Sequence, residues 1–171
     1  AIYSAAKGGG RTSFAMALGS MLHQETGGAV VIVDLNGIEH NERGLYGPAG
    51  PGQPAPDPTR EMFSDEWFDA AISSHPLGFS VLCASQLVAE AGGEHAIVPL
   101  LNFLTNRFQY ILIDLPVEGE PMILKALIQS DLLYLLTDHN REHLLQTNAL
   151  IHQLQSSVGP LEQRMKVVVT M

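Results

Sequence analysis

Three groups of residues in this chain have the types and spacing to do chemistry together. The first is the run Lys7-Gly8-Gly9-Gly10-Arg11-Thr12-Ser13, which follows a short apolar segment and opens an amphipathic one. Glycines let backbone N–H groups turn inward toward an anion, and the start of the following helix adds its dipole. Such a run is a candidate phosphate cradle, and Thr12 or Ser13 can offer a hydroxyl to Mg²⁺. The second group is Asp34, at the end of the apolar run AVVIVDL, with Asn36 two residues on. The third is Asp114, at the end of YILIDLP, placed to hold the same metal through water. Each alternative reading is structural: a tight strand-to-helix turn, a turn-capping acid, a solvated lysine.

These groups need a scaffold that brings strand ends together. Short apolar runs alternate with helical patterns along the chain. AIYSA reads as a strand, followed by a helix from about Thr12 to Gln24 with Phe14, Leu18, Met21 and Leu22 on one face. AVVIVDL is a near-continuous β-branched run, as expected of a strand buried on both sides. REMFSDEWFDAAISSH predicts a helix, FSVLCA a strand, and EHAIVPLLNFLTNRF a helix that tolerates Pro99 near its start. YILIDLP, DLLYLLTD and KVVVTM predict strands. PMILKALIQS predicts a helix, as does REHLLQTNALIHQLQSS, which sets Leu144, Leu145, Ala149, Ile151 and Leu154 largely on one side. The alternation predicts an α/β fold: a mostly parallel, doubly wound sheet with helices on both faces. Ligands in such sheets bind at the carboxyl ends of the strands, where all three groups fall.

Composition fits one domain of this kind. The chain has 171 residues, 46% hydrophobic and 16% charged, enough to fill a substantial core. The segment 47–58, within GLYGPAGPGQPAPDPTR, is too rich in Gly and Pro for helix or central strand and reads as a mobile loop, either a lid or an insertion without function. Net charge is −9, from 18 acids against 9 bases, which disfavours a nucleic-acid footprint. The single Cys83 allows no internal disulfide and points to a reducing, cytoplasmic setting, with the thiol read as a buried strand residue rather than a nucleophile. No run has the roughly 18 apolar residues of a membrane span. Because the chain starts on a strand without Met and ends on another, it is expected to be part of a longer protein. His139 and His143 have a spacing that can hold a metal, but no partner ligands are evident, and they read as solvated helix-start residues.

The order A-K-G-G-G-R-T-S, then V-I-V-D-L-N, then Q-Y-I-L-I-D-L-P resembles the deviant P-loop ATPases of the ParA/MinD superfamily over essentially the whole chain. Their loop runs K-G-G-x-G-K-[ST]-[ST], their second motif is Asp-x-Asp after a buried strand, and their third is an Ile-Asp-x-Pro strand end. The stretch from FSVLCAS through QYILIDLP is most similar to the CpaE/TadZ-type pilus-assembly branch. The resemblance implies ATP and Mg²⁺ as cofactors, or none if the loop is degenerate. It also implies a homodimer and protein partners in a pilus, secretion or polar machine, in the cytoplasm or at the inner membrane surface. By residue it implies that Lys7 is the signature lysine, which reaches the partner's phosphates across the dimer. Gly8, Gly9 and Gly10 become the loop glycines, Arg11 and Ser13 their neighbours in the nucleotide site, and Thr12, Asp34 and Asp114 the metal side.

Three departures bear on activity. Lys7 to Ser13 holds seven residues where the pattern has eight: either the cradle is contracted, moving its donors by a sizeable part of about 3.8 Å, or the sequence lacks a residue. Arg11 stands where the loop lysine belongs, longer and planar where that lysine is compact. Asn36 stands at the water-orienting acid; an amide can hydrogen-bond a water but cannot take its proton. The expectation is a nucleotide-binding or degenerate domain, weakly hydrolysing or inert, that acts as a localisation or scaffold module. The alternative is an active ATP-dependent dimer switch.

Overall fold

A computed structural model describes residues 1–6, 8–36, 63–84, 94–117, 120–159 and 163–170. Lys7 and the 47–58 segment lie outside them. In chain order the elements are β1 (Ile2–Ser4), α1 (Arg11–Thr26), β2 (Val30–Asp34), α2 (Asp65–Ala71), β3 (Ile72–Ser74), β4 (Ser80–Cys83), α3 (Glu94–Thr105), β5 (Tyr110–Asp114), α4 (Glu120–Gln129), β6 (Leu133–Thr137), α5 (Arg141–Val158) and β7 (Met165–Val169). The strands form one sheet in the order β3-β4-β2-β5-β1-β6-β7. All neighbours pair in parallel except β3 and β4, so the sheet is mostly parallel with one antiparallel edge.

Period-two alternation divides the core. Val30 and Ile32 of β2 face α1 with Ile2, Leu112 and Leu136, whereas Val31 and Val33 face the opposite layer with Tyr3, Ile113 and Leu135. That layer is built from Trp67 of α2, Leu100 and Leu104 of α3, Ile123 and Leu127 of α4, and Leu154 of α5. Burial on both sides explains why β2 is apolar without a break. On the other face α1 lies close to the sheet because its contact residues are small. Ala15 and Gly19 are buried, and a Cβ at Gly19 would stand 3.4 Å from both Ile32 Cδ1 and Phe79 Cδ1.

The structure corrects several sequence expectations. The helix expected over REMFSDEWFDAAISSH is far shorter: Ser64 caps α2 by accepting from the Trp67 N–H, and Ile72–Ser74 instead pair with β4 as an edge strand. Met21 is 61% exposed, off the buried face of α1, where Ala15 and Gly19 take its place. On α5 the buried face runs through Thr147 and Leu154, leaving Leu144 and Leu145 exposed. Pro99 lies in the second turn of α3, on its exposed side. Cys83 is partly rather than fully buried.

At the amino ends of the strands the central β1 is only three residues long, with Ile2 in register with both Asp114 and Tyr134. Most of β5 therefore runs on below the start of β1. A cavity of about 540 Å³ opens there, lined by Leu18, Leu22, Leu101, Phe108 and Tyr134 among others. It lies at the rim opposite the glycine run.

Candidate functional site

Three parallel strands end side by side at the carboxyl rim, and each delivers one part of the site. Asp34 and Asp114 are in register across the β2–β5 pair, and both are buried, at 1% and 0% exposure. By alternation with Ile32 and Leu112 they face the α1 side. The chain leaves the adjacent β1 at Ser4 and turns back toward the same side.

That turn is made by two kinds of residue. Ser4 Oγ accepts from the Ala6 N–H and donates to the Ala6 carbonyl at 2.9 Å, tying down the first step out of the strand. Gly8 and Gly10 then take left-handed backbone, with φ of 83° and 74°, a conformation that L side chains rarely hold. Gly9 needs its missing side chain for another reason: a Cβ would stand 2.8 Å from Ser4 Oγ. Gly10 is the N-cap of α1 and offers no side-chain cap, and no acid lies in the first turn. The first N–H groups of α1, orphaned by helix geometry, thus meet no carboxylate of their own helix.

Thr12, in that first turn, donates its hydroxyl to Asp114 Oδ2 at 2.7 Å. This brings together a hydroxyl and a buried carboxylate that the sequence separates widely, with Asp34 on the neighbouring strand. The donor set Thr12, Asp34 and Asp114 is all oxygen, the chemistry that suits a hard divalent cation rather than a thiophilic one. Ser13, by contrast, is exposed.

Asn36 is held by four hydrogen bonds. Its N–H and its Nδ2 both donate to Asp34 Oδ1, at 2.9 and 3.3 Å, and Nδ2 also donates to the Asp114 carbonyl at 3.1 Å. Its Oδ1 accepts from Arg11 Nη2 at 3.5 Å. The two positions at which the sequence departs from the motifs it resembles are therefore in contact. Sequence reasoning missed this pairing, and it missed Ser4 as the brace of the loop. The D-x-N spacing after a strand did carry a signal, because Asp favours an Asx turn in which its own carboxylate accepts from the N–H two residues on.

Near the same rim, Asp138 follows β6. It accepts from the Asn140 N–H at 2.9 Å and meets His143 Nδ1 at 2.9 Å. The Asn140 bond first, and His143 second, hold its carboxyl below the usual carboxylate range. His143 is thus an acid-paired residue of the α5 start, while His139 is exposed. Among the described residues, no three His, Cys, Asp or Glu side chains gather as a metal cluster. No described helix is long and apolar enough to cross a membrane.

No protein-family model and no curated protein sequence matches this chain. Solved structures do match its fold. The apo form of McdA from Cyanothece is 19% identical with a TM-score of 0.65, covering 98% of this chain and 68% of that one. The MinC:MinD cell division complex of Aquifex aeolicus gives 18% identity and a TM-score of 0.70, over 98% of this chain and 66% of that one. Cobyrinic acid a,c-diamide synthase from Mycobacterium smegmatis, with bound ADP and magnesium, gives 18% and 0.63, over 97% and 70%. The fold is the ParA/MinD type of P-loop NTPase. A cell division protein and a biosynthetic synthase share it, so the fold does not by itself select a function.

Proposed function

We propose that this chain is a ParA/MinD-like nucleotide-binding domain that holds ATP with Mg²⁺ and hydrolyses it weakly or not at all. The observation that carries this reading is the 2.7 Å bond from Thr12 to the buried Asp114 at the mouth of α1. It sets a hydroxyl and a carboxylate beside helix N–H groups, as a magnesium-bound polyphosphate requires. Gly8, Gly9, Gly10, Arg11, Thr12 and Ser13 would surround the phosphates. Thr12, Asp34 and Asp114 would hold the metal, directly or through water, and Lys7 would serve as the signature lysine that its motif implies. The bound cation would neutralise phosphate charge.

Weak hydrolysis follows from position 36. The Asn36 amide cannot take up a proton at neutral pH, and its hydrogen-bonding groups are engaged with Asp34, Asp114 and Arg11. A domain that binds without efficient turnover suits a scaffold or localisation role. We place it in pilus or secretion-machine assembly of the CpaE/TadZ type, as part of a longer cytoplasmic protein that forms a homodimer. Calorimetric titration with ATP and Mg²⁺, followed by a phosphate-release assay, tests this. Binding with little release is expected; absence of binding, or turnover matching ordinary ParA-type ATPases, rejects it.

The buried carboxylate pair Asp34–Asp114 favours a second reading, an active ATP-dependent dimer switch. It predicts that ATP drives dimerisation and that Lys7→Ala abolishes it. An association state indifferent to nucleotide excludes it.

A further inference from the structure

The contact between Arg11 and Asn36 has a defined polarity. The Asn36 Nδ2 faces two acceptors, the Asp34 carboxylate and the Asp114 carbonyl, at 3.3 and 3.1 Å. Its Oδ1 faces a donor, the Arg11 guanidinium, at 3.5 Å. Turning the amide over would set oxygen against a carboxylate and a carbonyl, and NH₂ against a cation. Every contact would become repulsive, so the surroundings fix the amide and the amide in turn orients Arg11.

We infer that Asn36 is a positioning residue for Arg11, and that the two form one matched pair in which a carboxylate cannot replace the amide. A neutral acceptor orients a guanidinium without neutralising its charge. An aspartate at position 36 would instead ion-pair with Arg11 and compete with an incoming phosphate. It would also bring oxygen against Asp34 and the Asp114 carbonyl, where the structure has N–H. An uncharged acceptor at position 36 therefore adds no competing negative charge beside the Arg11 fork, where an acid would. For its ligand, the phosphates of a nucleoside triphosphate, this inference rests on the nucleotide-binding reading above. It adds that an acid at position 36 weakens phosphate binding while Arg11 is present.

Two cycles test it. In the first, ATP·Mg²⁺ affinity is measured by calorimetry for the parent chain, Arg11→Lys, Asn36→Asp and the double variant. Asn36→Asp is expected to weaken binding by about tenfold beside Arg11, and by no more than about threefold in the Arg11→Lys background. An equal loss in both backgrounds overturns the pairing, since a merely structural defect would not depend on the residue at position 11. If Asn36→Asp does not fold, Asn36→Ala takes its place: it removes the acceptor that orients Arg11, so its loss too should be larger beside arginine. The second cycle needs no nucleotide and compares melting of Arg11→Ala, Asn36→Ala and the double variant. The double variant is expected to melt above the sum of the two single effects; additive shifts overturn the pair. Should the parent chain bind no ATP·Mg²⁺, the nucleotide reading and the phosphate role of Arg11 both fall, and the melting cycle alone decides on the contact.

Discussion

The hydroxyl of Thr12 donates to Asp114 Oδ2 across 2.7 Å, joining the first turn of α1 to the end of β5 over 102 positions of sequence. A buried carboxylate that loses such a donor loses about 1–3 kcal/mol of stabilisation. Thr12→Ala should lower unfolding free energy by that amount in urea denaturation and should remove the magnesium dependence of nucleotide affinity. Thr12→Ser, which keeps the hydroxyl, should retain most of both. Equal behaviour of the alanine and serine variants would show that the hydroxyl has no such role.

Gly9 meets Ser4 more tightly than any side chain allows, with a Cβ placed 2.8 Å from Ser4 Oγ. Overpacking of this kind costs about 1–3 kcal/mol. Gly9→Ala should therefore destabilise the protein and weaken anion binding at the loop. Adding Ser4→Ala should recover part of the stability by removing the obstructing oxygen. A double variant less stable than Gly9→Ala by the full Ser4→Ala effect would argue against the contact.

Gly19 makes a graded test of how closely α1 lies on the sheet. Alanine at this position would sit at 3.4–3.5 Å from Ile32, Phe79 and Leu112, a tight but tolerable contact, and would recover up to about 1 kcal/mol of helix propensity. Leucine has no such room and should cost about 1–3 kcal/mol. Thermal melting of the two variants should thus separate them widely; similar melting temperatures would contradict the packing.

The strands and the order of the site are legible in the sequence because both rest on local patterns. AVVIVD and YILID fit only doubly buried strands, and their acids fall at the carboxyl rim where the glycine run also ends. Other features depend on partners far along the chain. Ile72–Ser74 is a strand because β4 is there to pair with it, not through a pattern of its own, so its residues read as helix. The α5 face misleads because polar Thr147 is buried while Leu144 and Leu145 are exposed. The bond between Arg11 and Asn36 has no sequence signal at all, since nothing local announces which side chain an amide will meet. Lys7 and the Gly/Pro-rich 47–58 segment lie outside the described residues.

The place of β1 in the sheet has a consequence for how the chain assembles. This three-residue strand carries the glycine loop, yet it lies between β5 and β6, which follow it by more than a hundred positions. A ribosome releases β1 first, but its neighbours emerge only when most of the domain has been made. The β2–β5 pair can form beforehand, and β1 must then enter between β5 and an arriving β6. Closing so long a loop is slow and comes late in folding. The glycine loop is thus among the last parts of the molecule to be set in place, and a chain stalled before β6 would present only β3, β4, β2 and β5 as a sheet, with the loop not yet anchored in it.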